Sequence, residues 1–218
     1  MKKIISLVLA CLFALALAAC GAKETRTQEA PASAPVEAAA PAETPAAPVE
    51  SAGAEAEQTA EGGVLVAYFS ATGTTKGVAE KLAGVVGGDL YEIVPAEPYS
   101  DADLNWNDKN SRSTKEQDDR SARPGIASET LDLSGYATIY VGYPIWWGEE
   151  PRILDTFMES YDFSGKTMIP FCTSGGSGIG SSGKNMEQLT SGATWLDGSR
   201  FGGGVSEDEL RAWADGLQ

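Results

Sequence analysis

Ser70-Ala71-Thr72-Gly73-Thr74-Thr75 places four hydroxyl side chains and a glycine in a short loop just ahead of a helical pattern. Hydroxyls and backbone N–H groups at a helix N-terminus can surround a phosphate without any basic side chain. Gly73 lets the backbone approach closely. The same residue types also cap helices, so this loop alone leaves both readings open. Gly142-Tyr143-Pro144-Ile145-Trp146-Trp147-Gly148 offers a different chemistry. Two adjacent indoles at the end of a strand point in different directions, so one faces the core and the other is free to meet a flat ring. The order of residues does not say which. Thr173-Ser174-Gly175-Gly176-Ser177-Gly178-Ile179-Gly180 is almost bare of side chains. It suits close backbone approach to a flat ligand, or a flexible connection.

The chain excludes several other chemistries. It contains no histidine, which removes imidazole bases, His-ligated metals and Ser-His-Asp triads. Its formal net charge of −15 argues against nucleic acid, whose phosphates need a basic footprint. The acidity serves solubility or docking to a basic partner. Gly165-Lys166-Thr167 resembles the end of a P-loop, but Ser160 stands where the earlier glycine is required and Thr167 opens a strand. Gly178-Ile179-Gly180-Ser181-Ser182-Gly183 has dinucleotide-type glycine spacing, yet it follows a fourth strand and not a first βαβ unit. Trp106, with Asn105 and Asn107, is a candidate ligand or partner contact, though partial burial is the expectation. Cys172 ends a buried strand and reads as an inert packing thiol. Lys76 is expected to be solvated, favouring a nearby phosphate modestly.

These loops need strands and helices to hold them. Val64–Tyr68 is a continuous apolar run, as in a strand buried on both faces. Val78, Leu82 and Val85 then recur at helical spacing. Leu90–Val94 can form a second strand and Thr138–Gly142 a third. A helix opening at Pro151 follows, with Ile153, Leu154, Phe157 and Met158 on its buried face. Thr167–Cys172 reads as a fourth strand, followed by a poorer helix near Met186 and Leu189. Thr194–Leu196 is a short fifth strand. Ser206–Glu209 is a capping box for a last helix striped by Leu210, Trp213, Ala214 and Leu217. This alternation calls for an α/β fold with a parallel sheet and helices on both faces. Residues 99–126 break the pattern: the stretch is polar and longer than an ordinary connection. It holds an irregular second helix or covers the edge of the site.

Strand, Ser-x-Thr-Gly-x-Thr, helix resembles the phosphate loop of flavodoxins. Pro-x-Trp-Trp-Gly resembles their ring-side loop, and the glycine-rich stretch matches the other loop that borders the ring. The resemblance runs over the whole of Val64–Gln218. It implies a flavodoxin-like, doubly wound five-stranded parallel sheet in the order 2-1-3-4-5. It also implies FMN as cofactor, with a redox partner protein or a small electron acceptor. The cofactor-binding residues would be Ser70, Ala71, Thr72, Gly73, Thr74, Thr75, Pro144, Ile145, Trp146, Trp147, Gly148, Thr173, Ser174, Gly175 and Gly178. Glu149 and Glu150 beside them would disfavour a reduced, anionic flavin. One departure is that no tyrosine follows Thr173, so the outer face of the ring is left to the glycine-rich loop or to solvent. Electron carriage is the leading function. An FMN-dependent quinone or nitro reductase using a nicotinamide donor is a second, and a non-flavin binding module a third.

The N-terminus implies export. Met1-Lys2-Lys3 is followed by an apolar run to Ala19, slightly short for a membrane span. Leu17-Ala18-Ala19-Cys20 resembles the lipobox of bacterial lipoproteins, in which the cysteine thiol becomes lipid-modified. Residues 1–19 are thus expected to be a signal peptide. Residues 20–63 are expected to be a disordered Ala/Pro/Glu-rich tether behind a lipidated Cys20, and 64–218 the folded domain. The expected location is the extracytoplasmic face of a membrane. With Cys11 removed and Cys20 modified, Cys172 has no partner for an intramolecular disulfide.

Overall fold

The computed structural model describes residues 62–217. The signal peptide, Cys20 and almost all of the tether lie outside the described residues. In chain order the elements are β1 (Gly63–Tyr68), α1 (Thr74–Val86), β2 (Asp89–Glu92), α2 (Arg112–Asp118), β3 (Tyr136–Pro144) and α3 (Arg152–Ser160). They continue with β4 (Thr167–Thr173), α4 (Ser182–Glu187), β5 (Thr194–Trp195), β6 (Ser199–Phe201) and α5 (Glu207–Asp215). The sheet runs β2-β1-β3-β4-β5, with β6 also paired to β4, and every pairing is parallel. This is the expected α/β architecture in the expected order.

Strand pleating explains why β1 and β3 read as unbroken apolar runs. Alternate side chains leave opposite faces of a strand. Leu65, Ala67 and Phe69 pack with Ile153, Leu154, Phe157 and Met158 of α3. Val66 and Tyr68 join Val78, Ala79 and Leu82 of α1 and Leu210 of α5 on the other face. Ser206 Oγ accepts from Glu209 N at 3.2 Å, so the cap read from the sequence does start α5.

β3 runs two residues beyond the expected Thr138–Gly142 at each end and β4 one residue beyond Cys172, and three further differences have a physical reason. β1 begins at Gly63, one residue early, because its register already pairs Gly63 with Tyr136. β2 covers Asp89–Glu92 and pairs only with β1. It is an edge strand, and Leu90 and Val94 stay 45% and 39% exposed. The fifth position is not one strand but two short ones. Pro170 causes the break: it has no N–H to donate. Its carbonyl faces Gly198, where a Cβ would lie 2.3 Å from that oxygen, so the missing donor is on this side of β4. The ladder therefore stops after Met168↔Trp195 and resumes at Phe171↔Ser199.

The long polar stretch does contain a helix. Ser111 caps α2, its Oγ accepting from Thr114 N. Ahead of the helix, Ser100 N, Asn107 N and Asn110 N donate to the side chains of Asp103, Asn105 and Asp108.

Candidate functional site at the carboxyl ends of the strands

β1, β3 and β4 all end at the same edge of the sheet, where ligands of open α/β folds bind. The loop after β1 enters α1 through Gly73 at φ +85°, a left-handed conformation that favours glycine. No side chain caps this helix start. Ser70 Oγ is buried with no hydrogen-bond partner. Thr75 and Thr173 share a buried hydroxyl–hydroxyl bond of 2.8 Å, which ties the first loop to the third. Lys76 bonds to Glu92 at 3.1 Å on the surface, so its charge is engaged there and not at the loop.

The loop after β3 is a tight hairpin. Trp146 and Glu149 exchange backbone bonds of 3.0 Å in both directions, with φ +49° at Trp147 and +84° at Gly148. Two positive φ values in a two-residue turn are the type I′ signature. A bulky residue rarely takes this conformation, and its persistence marks a position held by its surroundings. The two indoles divide their roles. Trp146 packs edge-on to Phe69 and Tyr99, with ring centres 5.6 and 5.3 Å away. Trp147 stays 48% exposed.

The glycine-rich loop after β4 closes on the hairpin. Gly180 sits at φ +60°, and a Cβ there would lie 2.8 Å from the Gly148 carbonyl. Arg200 from β6 holds the loop by donating to Ser174 O at 2.7 Å and Ser174 Oγ at 3.2 Å. Ile145 N donates to Thr173 O at 3.0 Å, joining the second and third loops.

Between these loops lies a cavity of about 400 Å³. Ala71 and Thr72 of the first loop line it together with Pro144, Ile145, Trp146 and Trp147. Ser70, Gly73, Thr74 and Thr75 continue the first loop beside it, and Gly148 completes the hairpin. Thr173, Ser174, Gly175 and Gly178 are outside the cavity wall, and the third loop touches the first two through the bonds just given. Leu104, Trp106 and Ser113 also line the cavity; of these the sequence singled out only Trp106, as a candidate contact. Trp106 is 73% exposed and not partly buried as expected. The available signal was a lone tryptophan in an overlong polar connection.

Beneath the hairpin is a buried polar network. Gln117 of α2 donates to the carbonyls of Trp146 and Glu150, both at 3.1 Å. Arg152 reaches Glu149 at 2.5 Å, Asp155 at 3.1 Å and Glu150 at 3.2 Å. Asn185 donates to both Glu150 oxygens. Burial pushes the Glu150 carboxyl up to about 7, and burial also raises Asp155. Burial pulls Glu149 upward too, but its bonds to Arg152 and Arg120 outweigh that and hold it below the ordinary value. The expectation of two free negative charges beside the ring is therefore corrected. Glu149 is paired with Arg152 and Arg120, and burial favours the protonated form of Glu150. Cys172 is fully buried and its thiol is pushed by burial up to about 12, as suits an inert packing group.

Among the described residues no cluster of acidic or cysteine side chains could hold a metal ion, and no helix is long and apolar enough to cross a membrane.

Comparison with known proteins agrees with this geometry. A family model described as Flavodoxin matches residues 63–217. The crystal structure of a candidate flavoprotein from Bacteroides eggerthii is 48% identical, with TM-score 0.67, over 71% of this chain and 97% of that one. A second candidate flavoprotein, from Bacteroides uniformis, is 47% identical with TM-score 0.68, over 72% of this chain and 99% of that one. A flavoprotein from Lactobacillus acidophilus, solved in complex with FMN, shares the fold at 22% identity and TM-score 0.55, over 70% of this chain and 99% of that one. No curated protein matches the chain. With two strand-end loops lining one cavity, the third bonded to both, and the family model spanning the whole folded part, the chain belongs to the flavodoxin family.

Proposed function

We propose that the protein binds FMN in the cavity between the β1 and β3 loops and carries electrons at the outer face of a membrane. The observation that carries this reading is the joint lining of one cavity by Thr72 of the hydroxyl loop and Trp147 of the hairpin. A ligand with a phosphate at one end and a flat ring at the other fits both. The buried Ser70 hydroxyl without a partner supports the phosphate end, since a buried polar atom normally has one. Uncapped N–H groups at the start of α1 provide further donors. The Lactobacillus acidophilus flavoprotein in its FMN complex offers the same fold as precedent.

FMN when bound would supply the electron-transfer chemistry. The chain's own residues orient and shield. Ser70, Thr72 and Thr74 with the α1 amides would hold the phosphate, while the Thr75 hydroxyl stays bonded to Thr173. Trp147 would present an indole face to the ring, with Ile145 and Pro144 excluding water around it. Gly148, in its left-handed conformation, lets the backbone meet the ring edge without a side chain between. Carriage to a protein partner is the leading reading, and turnover with a nicotinamide donor is the alternative.

Titration with FMN tests the reading. Saturable one-to-one binding, with a rise in melting temperature that grows with FMN concentration, is expected. A protein that stays colourless and melts at the same temperature in excess FMN contradicts it. The membrane location rests on the lipobox resemblance at Cys20. Each buried acyl methylene contributes about 0.8 kcal/mol, so two or three chains anchor the protein firmly. Cys20→Ala is expected to leave it soluble or unprocessed in cell fractionation, and unchanged membrane retention of that variant contradicts the anchor.

A further inference from the structure

Trp106 stands apart from every other large apolar residue among those described. It is 73% exposed, against 48% for Trp147, 45% for Leu90 and 39% for Val94. A large exposed apolar side chain at a cavity asks for an explanation that a buried one does not. The backbone on both sides of Trp106 is fastened to α2. Ser113 N and Oγ both donate to Asp103 O, at 3.1 and 2.6 Å. Thr114 Oγ1 donates to Asp108 O at 3.0 Å. α2 in turn is fixed to the hairpin through the Gln117 bonds to Trp146 and Glu150. The loop thus holds an unburied indole at the rim of the cavity, in fixed relation to the turn that carries Trp147.

We propose that Trp106 is a second aromatic contact for the flavin ring, closing the cavity from the α2 side. This rests on the FMN reading above. Three points support it beyond exposure. Trp106 and Trp147 line the same cavity. The third loop presents glycines and serines, so it brings no aromatic side chain to the ring. An indole this exposed contributes little to folding, so holding it in place has no evident structural purpose. Its value arises when a flat ligand covers it, because stacking adds to the area buried.

The test compares the wild type with Trp106→Ala and Trp106→Phe, using two probes. FMN carries the phosphate tail, and lumiflavin is the same ring without it. Trp106→Ala is expected to weaken both by a similar factor of about three to ten. It should also alter the visible circular dichroism of the bound flavin, and leave the melting temperature of the flavin-free protein unchanged. Trp106→Phe restores most of the affinity for both. Trp106→Ala protein that binds both probes like the wild type, with the same dichroism, overturns the proposal. So does a loss confined to FMN, since Trp106 would then act at the phosphate end. A wild type that binds neither probe overturns the flavin reading itself, and this inference with it.

Discussion

Replacing Arg152 by methionine is expected to lower the melting temperature by about 6–20 °C. Arg152 is 2% exposed and touches three carboxylates, two of them buried at 0% and 4% exposure. Removing one partner from a buried ionic group leaves uncompensated charge and costs about 3–5 kcal/mol. For a folded part of this size each kcal/mol moves the melting temperature by about 2–4 °C. The site is already taut: Arg152 Nε, Asp155 Oδ1 and Gln117 Oε1 are buried without partners. The loss should depend on pH in a definite direction. Glu150, raised from 4.5 to about 7 by burial, binds more protons folded than unfolded between those values. Its contribution to stability therefore falls as pH rises through that window. Without Arg152 the carboxyl titrates higher still, so the deficit of the variant is largest near pH 8 and shrinks toward pH 5. Denaturation at the two pH values checks this. An Arg152→Met protein as stable as the wild type at pH 8 means that the network contributes nothing.

Thr72→Asp carries the second large effect. Thr72 is exposed at the mouth of the hydroxyl loop and lines the cavity. A carboxylate there faces a dianionic phosphate at close range, and like charges so placed cost several kcal/mol. FMN affinity is expected to fall about a hundredfold or more, with the loss easing at high salt. Riboflavin, which lacks the phosphate, should bind within about twofold of the wild type. Isothermal titration with the two ligands reads the contrast. Equal losses for both place the phosphate away from Thr72, and no loss for either removes the loop from the site. The substitution leaves the fold alone, because the side chain is on the surface and Gly73, which carries the turn, is untouched.

Much of this was legible in the sequence, and the reasons are local. β1 and β3 are buried on both faces, so their apolar runs are long and unmistakable. The hydroxyl loop and the Trp-Trp-Gly turn combine residue types that have few uses together. Pro170 was equally visible, yet its consequence depends on which neighbour its missing N–H faces, and that is decided only when β4 takes its place in the sheet. β2 was harder because an edge strand of four residues has no second partner to demand a pattern. Glu149 and Glu150 look like free charges because Asn185 is far along the chain and Arg120 lies in the polar stretch. Both meet the hairpin only in three dimensions. Trp106 was a candidate contact in the sequence, but its exposure was misjudged for the opposite reason. Lone aromatics in polar loops usually tuck inward, and here Asp103 and Asp108 bind the loop to α2 so that the indole stays out.

The most direct measurement is a backbone amide map of isotope-labelled protein with and without FMN. If the three loops form one site, resonances of residues 70–75, 145–148 and 173–180 move together at a single stoichiometric endpoint, while β2 and the far end of the sheet stay still. Shifts restricted to one of these loops, or centred elsewhere in the molecule, would mean that the crevice does not hold the cofactor.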